Sequence, residues 1–205
     1  MCMTPKRKHM GITIQPKIKK KFVKPKTMVV DTRELNKVKM FALDSFWSAW
    51  EEEKFDLNLM SAFYKEAPQL KKDEVLNITD GKSVVSGYRL NERTALLSSG
   101  RTLERVYSQT WAEKNGFIFV PHRKVKLGLD KKRHFIERYR SRNFDLGLVV
   151  EFIIRAPMGK LGQRIKILSE NDVLVGARTN EYGSILITGM KRGEIDLGEY
   201  CDWKF

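Results

Sequence analysis

Cysteine is nearly absent: two in 205 residues, Cys2 and Cys201, one near each end. Neither has a second Cys or a His at metal-ligand spacing, which excludes a disulfide framework and a zinc ribbon as organising devices. Histidine is as scarce, with His9, His122 and His134 only. The last two sit among lysines and arginines, a setting that favours phosphate contact over general-base work. Long apolar runs are missing too. The best, Leu146 to Ile154, is broken by Glu151 and falls far short of the roughly 20 residues that cross a bilayer. The first thirty residues have no apolar stretch ahead of a small-residue cleavage site, so no secretory signal is expected. A soluble, reducing compartment follows as the expectation, the cytoplasm first, with nucleus and virion as alternatives. Gly159-Lys160 and Gly81-Lys82-Ser83 both lack the upstream glycine of a phosphate-binding loop, and with no other cofactor motif present, neither a cofactor nor a small-molecule substrate is expected.

Acid is also missing, locally. Lys and Arg total 39 against 25 Asp and Glu, a net charge of +14, and the excess is clustered. Residues 1–30 hold nine bases and no acid; 31–80 hold seven and eleven; 81–142 hold fifteen and five; 143–205 hold eight and nine. Clustered charge creates a field, whereas dispersed charge only confers solubility. The first cluster includes Lys19, Lys20, Lys21, Lys24 and Lys26 and is punctuated by Pro5, Pro16 and Pro25, which oppose a continuous helix or a central strand. It reads as a flexible basic arm over residues 1–30. The chain as a whole is 41% hydrophobic and 10% aromatic, enough to bury a core and exclude wholesale disorder. Residues 31–205 are expected to form a single α+β domain.

Periodicity assigns its elements. Leu43, Phe46, Trp47, Trp50, Leu57, Met60, Phe63 and Tyr64 recur at spacings of three, four and seven, predicting one long amphipathic helix over 42–66 that Pro68 ends. Its two tryptophans read as core anchors, and Glu51, Glu52, Glu53 and Asp56 as a wet face. A shorter helix is expected over 101–114, stopped by Asn115-Gly116, then a strand at 117–121. Leu146–Arg155, rich in Val, Ile, Leu and Phe, is read as a buried strand. Strands at 164–168, 172–177 and 184–188 follow, the last two joined as a hairpin through Asn180–Gly183. The expected architecture is thus two helices packed on an antiparallel sheet. No internal repeat is legible.

Residues 122–142 form the main functional candidate. Arg123, Lys124, Lys126, Lys131, Lys132, Arg133, Arg138, Arg140 and Arg142 are interleaved with Val125, Leu127, Phe135, Ile136 and Tyr139, a pattern that anchors cationic side chains over an apolar base. On a strand, Arg138, Arg140 and Arg142 would share one face, and arginine forks bind phosphate bidentately and stack on bases. The competing expectation is that these bases pair with Glu51–Glu53. A third and weaker arrangement, Asp145 and Glu151 on one strand face with Lys160 beyond Pro157, outlines a metal-dependent nuclease. The leading expectation is a non-enzymatic nucleic-acid-binding protein, RNA or single-stranded DNA before duplex, because no helix-turn-helix, zinc finger or zipper is present. A basic arm ahead of a β-rich body also resembles small viral coat and matrix proteins, and Phe119–Arg123 with Asn143–Gly147 is similar to a short stretch of rhabdovirus matrix proteins. That resemblance implies self-assembly into homo-oligomers and contact with a genome or an anionic membrane surface.

Overall fold

Residues 26–32, 38–121, 125–129 and 134–192 are described by the structure, a computed structural model. They form a mixed α+β fold. In chain order come β1 (Met28–Asp31), β2 (Lys39–Ala42), α1 (Asp44–Glu53), α2 (Leu59–Glu66), a 3₁₀ turn (Ala67–Gln69), β3 (Val75–Thr79), β4 (Ser83–Asn91) and β5 (Thr94–Thr102). Then follow α3 (Gln109–Lys114), β6 (Ile118–Phe119), β7 (Lys126–Leu129), α4 (His134–Arg142), α5 (Gly147–Arg155), a 3₁₀ turn (Ala156–Met158), β8 (Arg164–Leu168), β9 (Asp172–Asn180) and β10 (Gly183–Lys191). Two five-stranded sheets result, ordered β2-β5-β4-β3-β6 and β7-β10-β9-β8-β1. Among the described residues no helix is long and apolar enough to cross a membrane.

The two orders are the same, because the chain is an internal duplication. Ser86 pairs with Ser99 and Val175 with Thr188; Gly87 pairs with Leu97 and Gly176 with Leu186. Every such pair recurs at a constant shift, 89 residues by subtraction of 86 from 175, and both hairpins carry their register shifts at matching positions. The sequence follows with few identities: Phe55-Asp56-Leu57 and Phe144-Asp145-Leu146, Ala67-Pro68 and Ala156-Pro157, Arg89 and Arg178. What persists is the packing. A Cβ at Gly87 would strike the ring of Phe63, and one at Gly176 the ring of Phe152; Gly100 lies likewise under Phe55 and Gly189 under Phe144. Buried Phe46 and Trp50 of α1 match buried Phe135 and Tyr139 of α4.

The repeats exchange their opening strands. β1 runs parallel to β8 with Val30 opposite Ile167, and β6 runs parallel to β3 with Ile118 opposite Ile78, so each repeat completes the other's sheet. Between them, Met40 N donates to Asp145 Oδ1 at 3.0 Å, Leu146 N to Met40 O at 2.9 Å, and Asn58 Nδ2 to Val125 O at 3.0 Å. Ala42 N donates to the Tyr139 hydroxyl at 2.7 Å, and that hydroxyl reaches back to Ala42 O at 3.3 Å. Burial pushes the phenol up to about 12, which keeps it protonated and available for both roles. Trp47 meets Phe135 and Tyr139 at ring-centroid distances of 6.1 and 5.5 Å. A single apolar cluster accordingly runs through both halves.

Several expectations change. The long helix over 42–66 is two, because Lys54 adopts a left-handed φ of 55° and Asp56 Oδ1 then caps the Asn58 backbone and side-chain amides. Phe55 and Leu57 are buried on either side of the break, so the apolar spacing runs on through it. Of the four carboxylates expected on a wet face, Glu52 and Glu53 are exposed, while Glu51 and Asp56 are half-buried. The helix expected over 101–114 shrinks to α3, capped by Ser108 Oγ accepting from Trp111 N at 3.2 Å; the chain before it finishes β5. Gly116 takes the anticipated positive φ of 74°. Leu146–Arg155 supplies a helix, α5, rather than a strand. A short apolar run buried over most of its length, here Gly147 to Ile153, suits either. The sheets are mixed, with four parallel pairings, and not purely antiparallel. Residues 28–30, assigned to the arm, lie within β1.

Candidate nucleic-acid interface

The basic residues singled out in the sequence do not make one surface. Lys19, Lys20, Lys21, Lys24, Arg123, Lys124, Lys131, Lys132 and Arg133 lie outside the described residues. Lys26 begins the described chain, its carbonyl accepting from Gln163 Nε2 at 2.7 Å, and Lys126 opens β7, exposed. Arg138, Arg140 and Arg142 lie on helix α4 and not on a strand. A helix turns about 100° per residue, so Arg138 and Arg142 share a side and Arg140 points away from it. Arg140 Nε sits 2.9 Å from Asp44 Oδ1 of α1, and Arg142 Nη1 donates to Gly189 O at 3.2 Å. One arginine of the block thus meets α1 at Asp44 and not at the expected Glu51–Glu53; Glu53 accepts from Thr102 N at 2.6 Å. Arg89 is structural. Its buried guanidinium donates to Ala67 O and Asn91 O, both at 2.5 Å, and to Glu92 O, tying a 3₁₀ turn to a hairpin turn.

The nuclease trio is not assembled as foreseen. Asp145 precedes α5, Glu151 is buried midway along it with its carboxylate 3.5 Å from Arg155, and Lys160 is exposed beyond the following turn. Among the described residues no group of three His, Cys, Asp or Glu could hold a metal ion. Asp145 has structural work. Its Oδ1 accepts from Met40 N and from Gly147 N at 3.0 and 2.8 Å. Burial holds its pKa above the ordinary 3.8, opposed by those backbone bonds and reinforced by Asp172. A carboxyl with a raised folded pKa contributes most below 3.8, and the contribution is lost as pH rises through the folded value. Asp145→Asn keeps an acceptor for both N–H groups and cannot ionise. It should flatten that limb of the pH–stability curve and leave neutral-pH stability equal or higher, whereas Asp145→Ala should cost about 1–3 kcal/mol by orphaning buried donors. Thermal melts across the acid limb distinguish the two.

The structure brings forward a face that no sequence pattern marks. The outer side of the first sheet carries a groove of about 510 Å³ lined by Asn77, Ser86, Ser99, Val84, Arg101, Glu53 and Phe117. The residues arrive by register: Asn77, Ser86 and Ser99 lie side by side on β3, β4 and β5, with Val84 beside Arg101 in the adjacent row. Phe117, just before β6, stands beside them. It stacks on Trp111 at 5.4 Å, Trp111 on Tyr107 at 3.9 Å, and the Arg105 guanidinium lies 5.0 Å from the Tyr107 ring. The three rings are half-buried and Arg105 is exposed, so the tier borders solvent. No single stretch of sequence announces this group, since it is drawn from residues 53 to 117 and its floor is made of common polar types.

The duplication supplies an internal control. The positions matching Asn77, Ser86, Ser99 and Arg101 are Lys166, Val175, Thr188 and Met190. There Val175 and Met190 join Val173 in a separate buried apolar cluster, at 8% and 2% exposure. The fold therefore accepts a covered apolar face at these positions, and the polar, open one in the first repeat is not an architectural demand. Comparisons of the chain with known protein families, with curated proteins and with solved structures return no match.

Proposed function

We propose that the protein binds nucleic acid without catalysis, single-stranded RNA or DNA in preference to duplex, in a soluble, reducing compartment. The observation that carries this reading is the tiered Arg105–Tyr107–Trp111–Phe117 arrangement at the edge of an open sheet face, in a chain of net charge +14. Unpaired bases stack on aromatic rings and guanidinium planes, and cations along the backbone release condensed counterions. A duplex keeps its bases stacked inside and offers such a tier little.

The test is affinity as a function of salt for single-stranded RNA, single-stranded DNA and duplex. Single strands should bind more tightly at every salt concentration. Removing residues 1–25, which spares β1, should leave the melting temperature within a few degrees. The same truncation should lower the magnitude of the log–log salt slope by roughly 0.7 for each phosphate that is no longer neutralised. Absence of binding to all three at low salt would overturn the reading. Light scattering after nuclease treatment addresses the coat- or matrix-like alternative: large assemblies that persist without nucleic acid would favour a self-assembling structural protein.

A further inference from the structure

We infer that the groove on the outer face of the first sheet holds one unpaired nucleobase of a bound strand, packed against Phe117, with its polar edge toward Asn77 and Ser99 and its backbone toward Arg101. This rests on the nucleic-acid reading and adds a defined site to it.

The size suits the ligand, since about 510 Å³ falls within the range of small-ligand clefts and exceeds the need of a lone water or ion. The hydrogen-bonding groups are set and unused. Ser86 Oγ donates to Asn77 Oδ1 at 2.6 Å, which fixes the amide plane and leaves Nδ2 as a pair of donors without a partner among the described residues. Ser99 is exposed and its hydroxyl makes no bond among them, and Arg101, exposed at the rim, forms no ion pair among them. Glu53 commits one oxygen, Oε2, to Thr102 N and Oγ1; Oε1 remains as an acceptor. Two kinds of donor, an acceptor, a cation and a ring around one cleft match the donors, acceptors, phosphate and π-face of a nucleotide. Phosphate alone would engage the arginine, amide and hydroxyl donors and leave the Glu53 acceptor and the ring without a counterpart. The second repeat strengthens the argument, because at the same register it places Val175 and Met190, buried, where the first places Ser86 and Arg101.

The test uses the full-length chain and a short single-stranded RNA, compared with the same backbone carrying abasic sites. Phe117→Leu removes the ring and keeps an apolar side chain; Ser99→Leu fills the cleft from an exposed position. Each should weaken binding of the base-bearing strand about tenfold or more, the scale of one missing base–aromatic stack, with the salt slope and melting temperature unchanged. The abasic strand should bind wild type and variants alike. Equal affinity of wild type and both variants for the base-bearing strand would overturn the groove and leave the nucleic-acid reading standing. Failure of wild type to bind either strand would overturn that reading itself. Should a variant melt early, ultraviolet cross-linking of the wild type decides: adducts within residues 111–117 support the site, and adducts confined to residues 1–25 refute it.

Discussion

Breaking the chain between Glu104 and Arg105 should yield two fragments, neither of which folds alone, that regain the native fold when mixed. The cut falls in an exposed stretch between the repeats, so it removes no packing directly. It separates every exchanged element. The N-terminal fragment keeps β1 without β8 and β3 without β6; the C-terminal fragment keeps β8 and β6 without their partners. Each would also bare core surface: Trp47 is parted from Phe135 and Tyr139, and Met40 from Asp145 and Leu146. A fully buried aromatic or aliphatic side chain is worth about 1.5–3 kcal/mol, and a domain's whole stability is only about 5–15 kcal/mol, so baring a few of them suffices to unfold a fragment. Circular dichroism melts should show no cooperative transition for either piece, and a concentration-dependent one for the mixture. A fragment that melts cooperatively by itself, near the temperature of the intact chain, would show that the repeats are independent.

Gly176→Val should be among the most damaging single substitutions. The residue lies on β9, where even a Cβ would overlap the Phe152 ring and approach Ile185 O at 2.7 Å. Phe152 is fully buried in α5 and the backbone oxygen belongs to the neighbouring strand, so neither can yield easily. Overpacking a filled core costs about 1–3 kcal/mol, and more where the backbone must shift. Destabilisation by about 3 kcal/mol or more is expected from chemical denaturation, at the upper end of that range. Gly176→Ala should cost less, and Phe152→Leu combined with it should recover part of the difference, because the ring is what the methyl strikes. Strictly additive costs in that double mutant would place the damage elsewhere, for example in strand geometry.

The parts legible in the sequence were those set by local chemistry. The β9–β10 hairpin announces itself through Asn180 and Gly183, the stop after α3 through Asn115-Gly116, and the buried stripe through Phe46, Trp47 and Trp50. The break between α1 and α2 was hidden because Phe55 and Leu57, which flank it, keep the apolar rhythm. The duplication was hidden for a different reason: it conserves shape rather than letters. Trp50 and Tyr139 fill matching places, as do Gly87 under Phe63 and Gly176 under Phe152, yet most matching positions differ in residue type. On the functional side, the N-terminal excess of lysine and the cationic block could be read from composition. The geometry of Arg138, Arg140 and Arg142 could not, because spacing by two means one face only on a strand. The groove was out of reach, since it exists only once three strands are laid in register.

The reciprocal strand exchange also governs when the protein can exist during its synthesis. Val30 finds its partner at Ile167, so β1 waits for a strand made far later in the chain. Until β8 has left the ribosome, β1 has no sheet to join, and the basic segment ahead of it is already made while the fold is unfinished. Pairings of such long sequence separation are slow to close because the loop entropy is lost before any stabilising interaction can offset it. A nascent chain of this kind is a client for whatever shields unpaired strands in the cell: the first sheet has all its strands once β6 is made, whereas the sheet that takes in β1 is complete only after β10.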